Sequence, residues 1–203
     1  MQRLNREESQ ARTRSLLVDA ARSEIARKGF AKSSVRDIAD AAGFSQGAFY
    51  SNFTSKEDIL LEVVRQHQLQ ERAKIEAAMA GAQGDAAGAM AGIQRWAATI
   101  HADPDAAALA LELQLQAQRS PAFATGYREL NRAHLHELGE LIARLFALLG
   151  RELPGDKTEI ATGFIALVRG MALMSGDLEA GSTGRIVTTF LKAIVASGEK
   201  RAG

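Results

Sequence analysis

The chain has 203 residues, 46% hydrophobic and 24% charged, enough for one or two domains with a sizeable core. No apolar run approaches the roughly 18–20 residues of a membrane span, and the absence of cysteine excludes disulfides and thiolate metal sites. The formal charge of +1 hides an asymmetry: residues 1–36 carry nine Lys or Arg against four Asp or Glu, a net +5, so residues 37–203 sum to −4. A basic arm on a near-neutral body fits an anionic partner at the N-terminal end, or equally a solvated tail. The opening MQRLNREESQ has no apolar core behind its charges and is not expected to be a secretory signal. A cytoplasmic protein is expected.

Helix signals recur along the whole length, and only three prolines occur. In TRSLLVDAARSEIARKG, Leu17, Ala20, Ala21 and Ile25 share one face and Gly29 stops the helix. Ser34, with Asp37 three residues on, caps a very short helix, VRDIADAA, that ends at Gly43. Ser45 caps a second short one, QGAFYSN, and Ser55 with Asp58 opens a long helix whose stripe is Ile59, Leu60, Val63 and Val64. The Gly/Ala-rich residues 80–88 read as a break. After it come AMAGIQRWAATIHA and two helices opened by Asp103-Pro104 and Ser120-Pro121, each a capping residue followed by proline. The last of these runs to about Leu149 and stops at Gly150. Asp156 caps the next helix and Thr183 begins the final one. The fold class is all-α with about nine helices.

Two short helices joined by GFS form a helix-turn-helix pattern, whose second helix lies in the major groove of DNA. Ser45, Gln46, Gly47 and Ala48 make its first turn, the part that reaches base edges. Gln46 offers a bidentate donor–acceptor pair that favours adenine, and Ala48 suits a thymine methyl. Phe49 and Phe53 face inward, while Tyr50 faces outward, where its hydroxyl can bond a phosphate. Lys56 stands at a helix N-terminus, where the dipole disfavours a cation. A phosphate held there by the free N–H groups and the ammonium together explains it.

From Thr13 to Leu60 the stretch LL-x-x-AA, GF, SVRDIADAAGFSQGAFYSNF and SKEDIL resembles the N-terminal domain of TetR-family transcriptional regulators, a likeness that covers about residues 12–64. The resemblance implies an all-helical homodimer with a three-helix N-terminal helix-turn-helix domain and a C-terminal helical ligand-binding and dimerisation domain. It implies DNA contacts at Ser34, Arg36, Gln46, Gly47, Ala48, Tyr50, Ser51, Asn52 and Lys56. Ile25 stands where the family more often has phenylalanine, and Phe49 where leucine is usual; both are core exchanges of similar character. The expected domains are a basic flexible arm (1–11), the helix-turn-helix domain (12–54), a connecting helix (55–79) and the ligand-binding and dimerisation domain (80–203).

Farther on, Ile160, Phe164, Leu167, Met171, Met174 and Leu178 follow steps of 4 and 3, a heptad-type seam, with Gly163, Ala166 and Gly170 beside it to permit close approach. The final helix adds Ile186, Val187, Phe190, Leu191, Ile194 and Val195. Doubled by a two-fold axis, the two helices make a four-helix bundle. The resemblance points to the same dimer interface; the alternative is that they cover a monomeric core. Between these elements the resemblance places a ligand pocket, expected at Met90, Trp96, His101, Leu113, Gln114, Gln118, Phe123, Tyr127 and His134. A mostly apolar lining suits a small hydrophobic or amphipathic effector, with no cofactor.

No nucleophile–histidine arrangement, G-x-G-x-x-G or phosphate loop occurs, so no catalytic residue and no enzyme activity are expected. His134 and His136 are two apart and point to different helix faces, which argues against a metal. The expected partners are palindromic double-stranded DNA, a second copy of the chain and the effector, with no membrane. The expected function is a repressor released from its operator by that effector. The alternatives are an activator or ligand-independent regulator of the same family, or a helical protein-interaction module.

Overall fold

The computed structural model describes residues 6–80, 85–99, 104–174 and 181–200. Among them are nine helices and no strand: α1 (Arg6–Lys28), α2 (Val35–Ala41), α3 (Gln46–Tyr50), α4 (Lys56–Ala80), α5 (Ala86–Ala98), α6 (Pro104–Arg119), α7 (Pro121–Leu148), α8 (Lys157–Leu173) and α9 (Ser182–Ser197). They divide into two compact units. The first takes residues 1–67 with 105–130, and the second takes residues 68–104 with 131–203. α4 and α7 each pass from one unit into the other.

The first unit is built on an apolar stripe with a four-residue step. Leu17, Ala21 and Ile25 of α1 are fully buried, as are Ile38 and Ala39 of α2, Phe49 of α3, and Ile59 and Leu60 of α4. Leu109 and Leu113 of α6 and Phe123 and Tyr127 of α7 complete the same core. Each fully buried Leu, Ile or Phe contributes roughly 1.5–3 kcal/mol by leaving water.

In the second unit, Ile93 of α5, Leu141, Leu145 and Phe146 of α7, Ala161 of α8 and Leu191 of α9 form a separate cluster. α5 crosses α4 at Gly92, where a Cβ would lie 2.0 Å from the carbonyl oxygen of Ala78. Only glycine allows that approach. The rings of Phe164 on α8 and Phe190 on α9 meet edge to face at 5.5 Å.

Three sequence expectations need correction. Residues 6–11, expected in a flexible arm, are the first turns of α1, where Glu7 and Glu8 favour the helix N-terminus. The boundary at residue 80 does not separate the units, because α6 and the first turns of α7 pack with α1–α4. The 80–88 break is shorter than expected: α4 continues to Ala80, and Asp85 accepts from the N–H groups of Ala87 and Gly88 to start α5.

Candidate nucleic-acid interface

The helix-turn-helix is set by caps that act over three residues. Ser34 Oγ accepts from Asp37 N at 3.0 Å, and Asp37 Oδ2 accepts from Ser34 N at 2.9 Å, which closes the expected capping box. Hydrogen bonds from the Ser34 hydroxyl and N–H, with one from Lys28, hold the Asp37 carboxyl down at about 2. Gly43 turns the chain with φ +77°, a left-handed conformation that a side chain disfavours. Ser45 then caps α3 by accepting from Ala48 N at 3.2 Å. Beneath it the fully buried Phe49 ring lies 5.7 Å from Phe53, so α3 rests on an aromatic floor.

Long-range ties fix that floor. Arg14 Nη1 donates to the carbonyl of Asn52, just past α3, at 2.6 Å, and its guanidinium sits 4.1 Å from the Phe53 ring centroid. Its other arm pairs with Glu62 of α4 at 3.3 Å. Burial pushes the Glu62 carboxyl up, but hydrogen bonds from Arg65 and Gln66 and the charges of Arg65 and Arg14 more than offset it, leaving it below the usual carboxylate range. Arg14 therefore joins α1, the end of α3 and α4. On the far side, Glu112 of α6 accepts from the backbone N–H of Phe30 at 2.8 Å, in the corner after α1. Sequence reasoning passed over Arg14, Glu62 and Glu112. Arg14 did carry a signal: a cation three residues before Leu17 and seven before Ala21 lies on the buried face of α1.

The expected contact residues fall into two groups. Ser34 and Arg36 at the start of α2 and Ser45, Gln46 and Gly47 at the start of α3 are exposed; Ala48 is half-buried, and Tyr50 is 59% exposed. Gln46, Gly47 and Tyr50 are not part of the buried core. Arg36 makes an exposed pair with Asp40 at 3.5 Å, worth little in water. Ser51 and Asn52 are differently engaged. Ser51 Oγ donates to Gly47 O at 2.9 Å and Asn52 Nδ2 to Ala48 O at 2.8 Å, so both side chains turn back and close the end of α3.

Lys56 departs from the sequence expectation. Its ammonium donates to the carbonyls of Phe30 at 2.6 Å and Ser33 at 2.8 Å and lies 4.1 Å from the centroid of the Phe30 ring. Burial lowers its pKa, opposed by the neighbouring charge of Glu57. A lysine at this helix start is thus explained by tying α4 to the α1–α2 corner, without a phosphate.

In the second unit the expected dimer residues give an uneven picture. Met174, Ile186 and Phe190 are exposed, at 53%, 39% and 39%. Ile160, Gly163, Phe164, Leu167 and Ile194 are half-buried, and nothing lies within 4 Å of a Cβ built at Gly163. Met171 is buried within its own unit, and Leu178 lies outside the described residues. The result is an uncovered apolar face on α8 and α9.

The expected pocket residues are not gathered. Leu113, Phe123 and Tyr127 belong to the packed core of the first unit, with Phe123 and Tyr127 stacked at 5.6 Å. Met90 and Trp96 pack on the core of the second. Gln114 and Gln118 are exposed, and His101 lies outside the described residues. His134 borders the cleft between α7 and α8. Aromatic and methionine side chains at helical spacing filled the cores first, as close packing requires. Among the described residues no group of three His, Asp or Glu could hold a metal, and no helix is long and apolar enough to cross a membrane.

Comparison with known proteins bears on this geometry. Residues 17–63 match the model of the bacterial regulatory proteins of the tetR family. The HTH-type transcriptional repressor KstR2 of Rhodococcus jostii is 44% identical over 52 residues, 26% of each chain. The chain thus matches about a quarter of the length of that curated relative. A transcriptional regulator from Rhodococcus sp. Rha1 shares 22% identity at a TM-score of 0.71, covering 91% of this chain and 97% of that one. FadR from Bacillus subtilis, solved in complex with stearoyl-CoA, shares 21% at a TM-score of 0.68, covering 87% of this chain and 96% of that one. At those identities the two structures show a common all-helical fold.

Proposed function

We propose that this chain, whose residues 17–63 match the tetR family of bacterial regulatory proteins, is a sequence-specific repressor of that family which binds a palindromic operator as a homodimer and is released by a small hydrophobic or amphipathic effector. It is a regulator, not an enzyme. The observation that carries the reading is the exposed start of α3. Gln46 and Gly47 face water beside the Ser45 cap, Tyr50 flanks them, and none is needed to fill the core. Gln46 and Ala48 would read base edges; Arg36 and the Tyr50 hydroxyl would hold phosphates.

A five-residue recognition helix reads few base pairs, so one copy supplies little specificity. The uncovered Met174, Ile186 and Phe190 would bury one another across a two-fold axis. A palindromic operator would require the two recognition helices about 34–36 Å apart, in successive major grooves. Effector and operator would then be reciprocally linked, typically by ~1–3 kcal/mol, with α4 as a continuous helix belonging to both units. The test is selection from a random duplex library at near-physiological salt. An enriched inverted repeat supports the reading. No enrichment by a folded protein overturns it in favour of a protein-binding module.

A further inference from the structure

A cleft of about 150 Å³ opens between α7 and α8 in the second unit. It arises from two facing stripes. Asn131, His134 and Leu135 lie at i, i+3 and i+4 on α7, and Thr162, Ile165, Ala166 and Arg169 lie at i, i+3, i+4 and i+7 on α8. The α8 stripe is opposite the Ile160, Phe164, Leu167 and Met171 seam, so the cleft and the apolar face use different sides of that helix. The small Ala166 leaves room where a larger side chain would close the gap. The volume far exceeds the ~10–15 Å³ that a single water needs, and the cleft is open to solvent, with Thr162 and Ala166 exposed.

The cleft has a cationic end. The half-buried Arg169 donates from Nη2 to Asn131 Oδ1 at a long 3.4 Å. That same oxygen accepts from Gln68 Nε2 at 3.2 Å, so it is shared. Among the described residues Arg169 has no carboxylate partner. A guanidinium that is half out of water and has one long hydrogen bond favours an anion. The rest of the cleft is largely apolar, from Leu135, Ile165 and Ala166.

We infer that this cleft binds a small monocarboxylate with an apolar tail, its carboxylate bridged two-pronged by the Arg169 guanidinium beside Asn131, and its tail lying along Leu135 and Ile165. The fork of Arg169 matches a carboxylate geometrically, as a lysine would not. Asn131 Nδ2, whose sister oxygen holds Arg169 and Gln68, is placed to donate to the same head group. The inference deepens the effector part of the proposed function and rests on it for its biological purpose. The chemistry of the cleft stands on its own residues.

The test is calorimetric titration of the full chain, free of DNA, with hexanoate and, separately, with 1-hexanol. Saturable binding of one hexanoate per chain is expected, with hexanol at least tenfold weaker. Arg169→Gln should lose at least tenfold in hexanoate affinity, while Arg169→Lys keeps part of it. Ala166→Leu, which fills the cleft and leaves the guanidinium in place, should lose binding at an unchanged melting temperature, and it serves if Arg169→Gln does not fold. No saturable hexanoate binding, equal binding of the two probes, or an unaffected Ala166→Leu variant overturns the site. Hexanoate that binds as expected but leaves the selected operator duplex bound supports the site and removes the carboxylate as the releasing effector. Failure of the duplex selection would remove the regulator reading and leave this result intact.

Discussion

The start of α3 and the α8–α9 face each show water side chains that the fold does not need covered, but of opposite chemistry. α3 shows Ser45, Gln46, Gly47 and Tyr50, which are small, polar or tipped with a hydroxyl. Met174, just past α8, and Ile186 and Phe190 of α9 are apolar and exposed. A wet polar surface held rigid by caps suits a groove lined with donors, acceptors and phosphates. An apolar one suits a copy of itself. The difference teaches that what a helix leaves uncovered indicates its partner better than what it buries.

The largest expected effect is at the floor of α3. Phe49→Ala should destabilise the first unit by ~3–5 kcal/mol in urea unfolding, because a fully buried ring leaves a cavity. A loss under ~1 kcal/mol would mean that α3 does not rest on this ring, and its exposed face would lose its special standing. Next comes the opposite surface. Phe190→Glu should weaken self-association by ~2 kcal/mol or more in sedimentation, since an interface core does not accept an unpaired charge. An unchanged mass distribution would make the apolar face a mere cover and dissolve the contrast.

Arg14 sharpens the comparison from within the first unit. Arg14→Met removes a charged hydrogen bond to the Asn52 carbonyl, of a kind worth ~1.5–3 kcal/mol. Operator affinity should fall while its salt dependence stays the same, because Arg14 positions α3 and meets no phosphate. A shallower salt slope would instead place Arg14 on the DNA. A smaller effect follows at the cap: Ser45→Ala should cost ~1 kcal/mol of stability by leaving the N–H of Ala48 unmet.

The smallest effect is a titration. The Asp37 carboxyl is depressed from 3.8 to about 2 in the fold. Its contribution is therefore present above the unfolded value and is lost as pH falls from near 3.8 through about 2. Asp37→Asn should flatten the acid limb of the stability curve in that window, followed by circular dichroism. An identical limb would mean that the capping box adds nothing to folding.

The two regions were not equally legible in the sequence. Ser34 with Asp37, Ser45 with Ala48 and Ser55 with Asp58 act over three residues, so each cap could be read where it stood. Phe49 and Phe53 announced their burial by a four-residue step. The ties that hold α3 in place could not be read this way, since Arg14 reaches across 38 residues to Asn52 and Phe30 across 82 to Glu112. The cleft between α7 and α8 was harder still. Leu113, Phe123 and Tyr127 have the same residue types and spacing whether they fill a core or line a pocket, and they fill a core. His134 was the one expected pocket residue at that cleft; Asn131 shares its face of α7 at i−3, but Arg169 comes from α8, 35 residues on, where no local pattern joins it to His134.

The most direct test joins both regions in one titration. A duplex carrying the selected inverted repeat would be compared with one in which a single half-site is scrambled, for the wild-type chain and for Phe190→Glu. Two linked recognition helices predict that scrambling costs wild type at least a hundredfold, ~2.7 kcal/mol, while the variant binds both duplexes weakly and alike. Equal wild-type affinity for the two duplexes would contradict the account, for then the exposed start of α3 would act without the apolar face.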